Sequence, residues 1–321
     1  MKLVVQVPCL NEEATLPQVL RTIPREVPGI DEVVIVVIDD GSSDRTAEIA
    51  LAEGADHVIQ HTSNLGLARS FRDGVDHALS IGADIVVNTD GDNQYPQQRI
   101  PDLVAPVVAG EADIVIGDRQ TATIEHFSAF KKRMQRVGSR VVNAAAMTDL
   151  PDAASGFRAY SRESLLRLNV ITDFSYTMET IIQAGNRHMR ITSVPIDTNP
   201  KTRESRLFGN IWQHMGKSGV AIVRSYLMFR PYRLLSALAT VFGLLGLIPF
   251  VRFGILFFLD EGGDHIQSLI FGSSMLVASF VSLALLVIAD LLRTNRILLE
   301  ESLERTKHLQ YGREGDREHV S

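Results

Sequence analysis

Residues 86–99, VVNTDGDNQYPQQR, begin as an apolar strand and end in a turn that carries two carboxylates. Asp90 and Asp92 flank a glycine, so both side chains can point to one side while the backbone bends closely between them. Two carboxylates at this spacing repel each other unless a cation neutralises them. Oxygen ligands with no histidine or cysteine nearby suit Mg²⁺ or Mn²⁺, which usually bind one or two carboxylates together with substrate phosphates. Turns and helix caps explain most isolated D-x-D sequences, but the position of this one predicts a divalent ion that carries a diphosphate.

Residues 1 to about 200 alternate between apolar strands and amphipathic helices. This alternation predicts an α/β fold, with a mostly parallel sheet flanked by helices on both faces. In such sheets the ligand lies beyond the carboxyl ends of the strands. The candidate strands are 3–7, 32–38, 57–59, 84–88 and 113–116, and the candidate helices are 12–22, 44–53, 66–80, 98–108 and 124–147.

Polar residues follow each candidate strand at the edge where a ligand is expected. The segment after the second strand, Gly41-Ser42-Ser43, lacks both G-x-G-x-x-G and G-x-x-x-x-G-K, which disfavours dinucleotide and P-loop sites. The clustering supports a different anion-binding or metal-binding site. The residues are Asn11 and Glu12, Asp39 and Asp40, Asn64, Asp90 and Asp92, and Asp118 and Arg119.

Composition narrows the class of protein. A length of 321 residues suggests two units at roughly 150 residues each. The net charge of -6 argues against general nucleic-acid binding, which needs a basic surface. Cys9 is the single cysteine, which excludes a disulfide framework or a thiolate metal cluster, and it is expected to be apolar filler beside a strand. The opening MKLVVQVP predicts a first strand, since a signal peptide would have a longer apolar core.

Two apolar stretches near the carboxyl end predict a membrane anchor. Residues 234–259 carry one charge, Arg252, and residues 266–289 carry none, and about 20 apolar residues span a bilayer as a helix. A buried core hairpin is the alternative interpretation. The turn over 260–265 is acidic, and arginines flank the outer ends of both stretches, so the positive-inside rule predicts that both termini are cytoplasmic. These arginines are Arg224, Arg230, Arg233, Arg293 and Arg296.

The motifs of the first 206 residues resemble, in order, those of family 2 inverting glycosyltransferases with the GT-A fold. The resemblance is greatest to the dolichol-phosphate mannose synthase-like branch, which transfers a sugar from a nucleotide to a polyprenyl phosphate. The QxxRW signature of polymerising relatives is missing, since the only tryptophan, Trp212, lies in NIWQH, and this disfavours a cellulose- or chitin-synthase-like activity. The matching motifs are VPCLNEEATL, VIDDGSSDRT, NLGLARSFRDG, NTDGDNQYP, ADIVIGDR and DAASGFRAYSR.

The resemblance implies a donor site. Three of the residues assigned to it below also have a purely structural interpretation: Glu12 as a first-turn helix residue, Asp40 as part of a turn before a capped helix, and Asn64 as part of a tight loop. Pro8, Asn11 and Glu12 would line the base and ribose pocket, Asp40 with Asp39 beside it would bind the base or ribose, and Asn64 would belong to the same nucleotide-sugar site. Asp90, Asp92 and Gln94 would hold the metal, Mg²⁺ or Mn²⁺, and the diphosphate.

An acceptor site is also implied, because a lipid phosphate requires cations and arginine binds phosphate in a bidentate manner. Each of these arginines could alternatively be a solvated surface charge. Asp152 matches a carboxylate sometimes assigned as a base, but a phosphate acceptor is already anionic, so Asp152 is expected to orient the acceptor or the metal shell. The expected acceptor-phosphate residues are Arg119, Arg136, Arg203, Ser205 and Arg206, with Lys132 and Arg133 less favoured.

The sequence thus predicts four regions: a cytoplasmic GT-A catalytic domain over 1–206, juxtamembrane amphipathic helices over 207–232, a two-helix transmembrane anchor over 233–292 and a charged cytoplasmic tail over 293–321. The expected activity is transfer of a hexose from a GDP- or UDP-linked donor to a dolichyl or undecaprenyl phosphate at the cytoplasmic leaflet of the cell membrane. A glycolipid or glycan hydroxyl as acceptor, or an inactive nucleotide-sugar-binding scaffold, are the alternatives. The sugar, the base and a homo-oligomeric state are left open.

Overall fold

The computed structural model describes residues 1–120, 139–140, 142–144, 146–170, 176–199, 231–259 and 266–312. Seven strands form one sheet in the order β3-β2-β1-β4-β6-β5-β7. Neighbouring strands are parallel except that β6 is antiparallel to both β4 and β5. The predicted mostly parallel, helix-flanked sheet is therefore confirmed. The strands are β1 Lys2–Cys9, β2 Glu32–Asp39, β3 His57–Gln60, β4 Ile85–Asn88, β5 Ile114–Asp118, β6 Arg158–Ser161 and β7 Ile191–Pro195.

Eight α-helices accompany this sheet within the described residues. The predicted helix over 12–22 begins only at Leu16, because the backbone of Glu12 turns first and accepts hydrogen bonds from the amides of Thr15 and Leu16. The predicted helix over 124–147 lies mostly outside the described residues. The helices are α1 Leu16–Thr22, α2 Thr46–Ala52, α3 Leu67–Ser80, α4 Ile100–Val108, α5 Arg162–Arg167, α6 Tyr176–Asn186, α7 Pro231–Phe258 and α8 Ile266–Tyr311.

The central strands β1 and β4 are buried on both faces, as parallel strands covered by helices must be. One polar pair interrupts this apolar layer. Gln6 and Asn88 are register partners on β1 and β4, and Gln6 Nε2 donates a hydrogen bond to Asn88 Oδ1 at 3.0 Å. The bond satisfies one polar atom of each side chain, and leaving such a buried group unpaired would cost about 1–3 kcal/mol.

The strand directions determine which loops meet. Strands β1 to β4 are parallel, so the residues that follow Cys9, Asp39, Gln60 and Asn88 all leave the same edge of the sheet. Strand β6 runs in the opposite direction, with Arg158 opposite Asn88. The chain that enters β6, residues 152–157, therefore reaches this same edge.

The described residues divide into two compact units. One, the sheet unit, comprises the described parts of 1–222 and 303–321, and the other, the apolar-helix unit, lies within 223–302. The C-terminal segment, residues 303–312, belongs to the sheet unit. There Lys307 Nζ donates to the carbonyls of Leu168 at 2.7 Å and Leu165 at 3.4 Å, and Glu304 pairs with Arg187 at 2.5 Å. The four regions predicted from sequence remain a prediction.

The apolar-helix unit contains the predicted spans. The apolar windows in α7 and α8 have mean hydropathies of 2.3 and 2.5, and only 11% and 6% of their residues are buried. Apolar surface this exposed distinguishes the pair from a core hairpin and indicates a membrane anchor. The two helices approach closely where Ser279 Oγ donates to the carbonyl of Ala239 at 2.7 Å, as small residues permit between spans.

Candidate active site

The loops after β1 and β2 are joined by hydrogen bonds. The backbone N–H of Asn11 donates to Ser42 Oγ at 2.8 Å, and the Asn11 side-chain oxygen accepts from the backbone N–H of Ser43 at 2.8 Å. The backbone N–H of Glu12 donates to Thr46 Oγ1 at 2.8 Å. These bonds hold Asn11 and Glu12 at the edge where the β4 carboxylates also arrive. Pro8 lies one residue before the end of β1 and is buried.

Asp90 and Asp92 follow β4, and both are half-buried. Burial raises the pKa of the Asp90 carboxyl to about 7, the charges of Asp92 and Glu12 act in the same direction, and Arg119 opposes them. Gln94 is bound to Asp92, since its backbone N–H donates to Asp92 Oδ1 at 3.1 Å and its Nε2 to Oδ2 at 2.6 Å. The turn thus concentrates negative charge where water cannot fully solvate it.

This donor set fits a divalent cation. A half-buried carboxylate whose ionised form is disfavoured by its neighbours gains most from a nearby cation, and hard oxygen ligands suit Mg²⁺ or Mn²⁺. A Cβ atom at Gly91 would lie 2.6 Å from the Cys9 sulfur, so the glycine allows the turn to approach β1. Burial, with Glu12 and the neighbouring aspartates, raises the pKa of the Cys9 thiol well above its usual value, so it stays protonated and does not compete as a ligand.

A buried hydrogen-bonded cluster of Asn88, Tyr95, Gly156 and Tyr176 lies beside Asp90 and was not predicted from the sequence. The backbone N–H of Gly156 donates to the Tyr95 hydroxyl at 2.9 Å. Asn88 Nδ2 donates to the Gly156 carbonyl at 3.0 Å and to the Tyr176 hydroxyl at 2.8 Å. A Cβ atom at Gly156 would lie 3.0 Å from the Tyr176 hydroxyl and 3.4 Å from Asp90 Oδ2, so a side chain here would press against the tyrosine hydroxyl.

Arg119 and Asp152 form an ion pair at the same edge. Arg119 Nε donates to Asp152 Oδ2 at 2.7 Å, and Arg119 Nη2 donates to Oδ1 at 3.0 Å. Burial would raise the pKa of the Asp152 carboxyl, but the hydrogen bonds and charge of Arg119 outweigh it and lower the pKa below the usual value. Asp152 is therefore ionised near neutral pH and is a weak base.

Arg158 organises the loop that carries Asp152. Its guanidinium is fully buried and donates to the carbonyls of Ala153 at 3.0 Å and Ser155 at 2.7 Å. On α6 it donates to the carbonyl of Thr177 at 2.8 Å and the hydroxyl of Thr180 at 3.0 Å. The only sequence signal for this role is the position of an arginine at the start of a short apolar strand.

Two residues predicted to bind the sugar donor, Asp39 and Asp40, make hydrogen bonds to neighbouring loops of the protein. Asp39 accepts from the backbone N–H of Ser42 at 3.0 Å and from Gln60 Nε2 at 3.3 Å. The carboxylate of Asp40 is directed toward the loop after β3, and Asn64 in that loop is exposed. Direct nucleotide contacts by these residues remain a prediction. The expected acceptor residues Arg136, Arg203, Ser205 and Arg206, with Lys132 and Arg133, lie outside the described residues. So do Trp212, residues 207–230 of the juxtamembrane helices predicted over 207–232, and the turn predicted over 260–265.

Comparison with known proteins identifies relatives of this chain. The chain is 32% identical over 198 residues to a dolichyl-phosphate hexose transferase of Haloferax volcanii, covering 61% of this chain and 82% of the relative. It is 27% identical over 235 residues to an undecaprenyl-phosphate mannosyltransferase of Micrococcus luteus, covering 70% and 93%.

A solved structure shares the fold. The glucosyl-3-phosphoglycerate synthase of Mycobacterium tuberculosis, in complex with Mn²⁺, UDP and phosphoglyceric acid, has a TM-score of 0.55 at 24% identity, covering 70% of this chain and 77% of that chain. The family described as "Glycosyl transferase family 2" matches residues 4–168, which include the Asp90–Asp92 turn and the Arg119–Asp152 pair. The chain therefore belongs to glycosyl transferase family 2 and is a glycosyltransferase.

Proposed function

We propose that this glycosyltransferase transfers a hexose, with inversion, from a nucleoside diphosphate sugar to a polyprenyl phosphate at the cytoplasmic leaflet of the cell membrane. The observation that supports the proposal is that a turn with two carboxylates and an oriented guanidinium lie at the same edge of the sheet. Asp90 and Asp92 supply the first, and Arg119, held by Asp152, supplies the second.

The donor occupies the edge formed by the loops after β1 to β4. Asp90, Asp92 and Gln94 would hold Mg²⁺ or Mn²⁺, which when bound offsets the charge that develops on the leaving diphosphate. Asn11 and Glu12 lie beside the turn and would border the nucleoside. Gly91 and Gly156 would permit close approach, since a Cβ atom would clash with Cys9 at the first position and crowd the Tyr176 hydroxyl at the second.

The acceptor is a phosphate monoester on a lipid. Arginine has five N–H donors, and among the described residues Asp152 takes one from Nε and one from Nη2, so up to three could bind an acceptor phosphate. A phosphate oxygen then forms a bond to the anomeric carbon from the face opposite the diphosphate. The bond from that carbon to the diphosphate breaks, and its electron pair leaves with the nucleotide. No proton has to be removed from an acceptor that is already ionised.

A hydroxyl acceptor would need a general base, and this distinguishes the main alternative. The lowered pKa of Asp152 and its two bonds to Arg119 make it a poor proton acceptor. The named relatives from Haloferax volcanii and Micrococcus luteus use dolichyl and undecaprenyl phosphates, and this supports a polyprenyl phosphate here. Arg136, Arg203, Ser205 and Arg206 are proposed to complete the acceptor site.

The test is a panel of GDP- and UDP-linked sugars incubated with purified protein, a short polyprenyl phosphate and Mg²⁺ or Mn²⁺. We expect one donor to give a lipid-linked sugar. Asp92→Asn should abolish the product, whereas Asp102→Asn on the exposed side of α4 should not. Product with a glycolipid hydroxyl but none with the lipid phosphate would overturn the acceptor assignment, and donor binding without transfer to any acceptor would favour a scaffold.

A further inference from the structure

The carboxylate of Asp40 is already largely occupied. Its Oδ1 accepts from the backbone N–H of Leu65 at 2.8 Å and contacts His61 Nδ1 at 2.8 Å, and its Oδ2 accepts from the backbone N–H of Gly66 at 2.9 Å. An ionised carboxylate has about four acceptor positions, so three are filled. With its side chain only 7% exposed, Asp40 is placed to organise this loop.

His61 connects Asp40 to helix α3. Since a carboxylate oxygen can only accept, His61 Nδ1 must carry the proton in this contact. On the other side of the ring, His61 Nε2 lies 3.2 Å from Asp73 Oδ2, and Asp73 accepts from Arg69 Nε at 2.7 and 2.9 Å. The His61 side chain is only 7% exposed. The imidazole therefore lies between the end of β2, where Nδ1 bonds to Asp40, and the first half of α3, where Nε2 is close to Asp73 without a hydrogen bond.

The loop that follows His61, residues 62–66, lies directly against the turn after β2. A Cβ atom at Gly41 would be 2.5 Å from the carbonyl carbon of Ser63, so the two segments touch through their backbones. Gly66 has a φ of +93°, which favours glycine, and its amide is one of those bound by Asp40. The loop position thus depends on Asp40 more than on contacts of its own exposed side chains.

We propose that His61 is a positioning residue for the donor nucleotide: its Nδ1–H bond holds Asp40, and Asp40 holds the amides of Leu65 and Gly66 at the rim of the nucleotide pocket. This rests on the proposed function for the location of the pocket. Asp40 then acts on the nucleotide through the loop. Because β1, β4 and β6 separate the end of β2 from the end of β5, where Arg119 follows, the network sets donor affinity and leaves the chemical step unchanged.

Substituting His61 with asparagine or with glutamine distinguishes the contact made by Nδ1 from the contact made by Nε2. Asparagine places its amide nitrogen near Nδ1 and keeps the bond to Asp40, whereas glutamine reaches toward Asp73 and loses it. We expect His61→Ala and His61→Gln to raise the Kd for the bound nucleotide, measured with GDP and with UDP in the presence of Mn²⁺, by about tenfold. His61→Asn should recover most of this loss. The kcat at saturating donor should stay within about twofold in all three, so the effect appears in KM.

The matched control is His57→Asn, an exposed histidine on β3, the strand that immediately precedes His61, and it does not contact Asp40 in the described structure. Amide hydrogen exchange at Leu65 and Gly66 provides a readout that needs no ligand. It should accelerate in His61→Ala and His61→Gln and remain near the unmodified rate in His61→Asn and His57→Asn. Equal exchange rates in all variants would overturn the positioning role.

The outcomes also separate this inference from the proposed function. Failure of the unmodified protein to bind either GDP or UDP would refute the nucleotide pocket, while the exchange pattern would still test the His61–Asp40 bond. Accelerated exchange with unchanged nucleotide Kd would show that the loop does not border the donor, and would overturn the inference alone. A fall in kcat with no change in Kd would also overturn it, since His61 would then act on the chemistry.

Discussion

Arg119 and Asp152 bind each other at two points, and only the arginine is accessible from outside the pair. The carboxylate of Asp152 has no exposed area, whereas 22% of the Arg119 side chain is exposed. Burying a carboxylate in this way requires a cation beside it, and the cation is thereby fixed in direction. The pair therefore presents an oriented guanidinium at the edge where Asp90 and Asp92 lie.

Replacing Asp152 with asparagine should separate orientation from base catalysis. If Asp152 orients Arg119, Asp152→Asn lowers kcat/KM for lipid transfer about 10- to 100-fold, the equivalent of one charge-assisted bond, and leaves the donor Kd within about twofold. The measurement is transfer kinetics beside direct nucleotide binding. A loss of several orders of magnitude that excess base or raised pH rescues would instead assign Asp152 as a general base.

The same pair predicts a dependence of stability on pH. The pKa of Asp152 is lower in the folded protein, so its contribution to the free energy of unfolding is present above the unfolded pKa of about 3.9 and is lost as pH falls through the folded value. Urea unfolding of the unmodified protein and of Asp152→Asn should differ most near pH 7 and converge in acid. A constant difference down to about pH 2 would contradict the assignment.

Asp90 predicts the opposite dependence and a link to metal. Its pKa is raised to about 7 by burial, so the stability it contributes without metal is present below the unfolded pKa of about 3.9 and is lost as pH rises toward 7. A bound cation requires the ionised form, so Mn²⁺ affinity should rise between pH 6 and pH 8 with release of a proton. Calorimetric titration in two buffers measures both the Mn²⁺ affinity and the number of protons released. Asp90→Asn should remove the dependence of Mn²⁺ affinity on pH. Metal-independent turnover in EDTA would refute the metal site.

Arg206 lies outside the described residues, and its role in binding the acceptor phosphate is a prediction from sequence. Arg206→Ala should reduce kcat/KM for transfer to polyprenyl phosphate roughly ten- to a hundredfold, while the donor Kd stays nearly unchanged. Arg206→Lys should recover only part of the loss, because lysine cannot present a planar fork. Parallel losses of donor binding and transfer would instead place Arg206 at the diphosphate.

The orientation of the anchor can be tested with a single cysteine. Cys9 is the single cysteine and is buried, so Gly262→Cys in a Cys9→Ser background provides one reactive thiol in the segment 260–265, which the sequence predicts to be a turn. We expect a membrane-impermeant maleimide to label it from outside intact cells, since the flanking arginines predict that both termini are cytoplasmic. Labelling that requires permeabilisation would reverse the orientation.

The C-terminal segment should contribute to the stability of the sheet unit. Lys307 Nζ donates to carbonyls at the end of α5, where the last carbonyls of a helix generally need partners from outside it. Lys307→Met should lower the free energy of unfolding by about 1–3 kcal/mol in detergent. Arg305→Met, on an exposed position of the same helix, is the control. Truncation after Gly312 should leave the free energy of unfolding unchanged, whereas truncation after Ser302 should lower it. Equal stability of the two truncated chains would exclude this role.

Local patterns were sufficient to predict several elements. The apolar runs of β1, β2 and β4 are recognisable from the sequence because parallel strands are covered on both faces. The position of Asp90 and Asp92 just after β4 follows from this assignment. The two apolar helices were equally evident from length and composition. In each case the signal lies within about 25 consecutive residues, where hydrophobic periodicity is informative.

Only the tertiary structure decided where β6 pairs and which way the polar side chains turn. Arg158 lies opposite Asn88, a contact across 70 residues that brings the Asp152 loop beside Asp90. The sequence predicts that Asp40 binds the base or ribose, which remains a prediction, and only the structure shows that its carboxylate also accepts from the amides of Leu65 and Gly66. Periodicity records which face of an element is apolar, but the partner of a buried charge is chosen by the donors that folding brings within hydrogen-bond distance, and these come from distant parts of the chain.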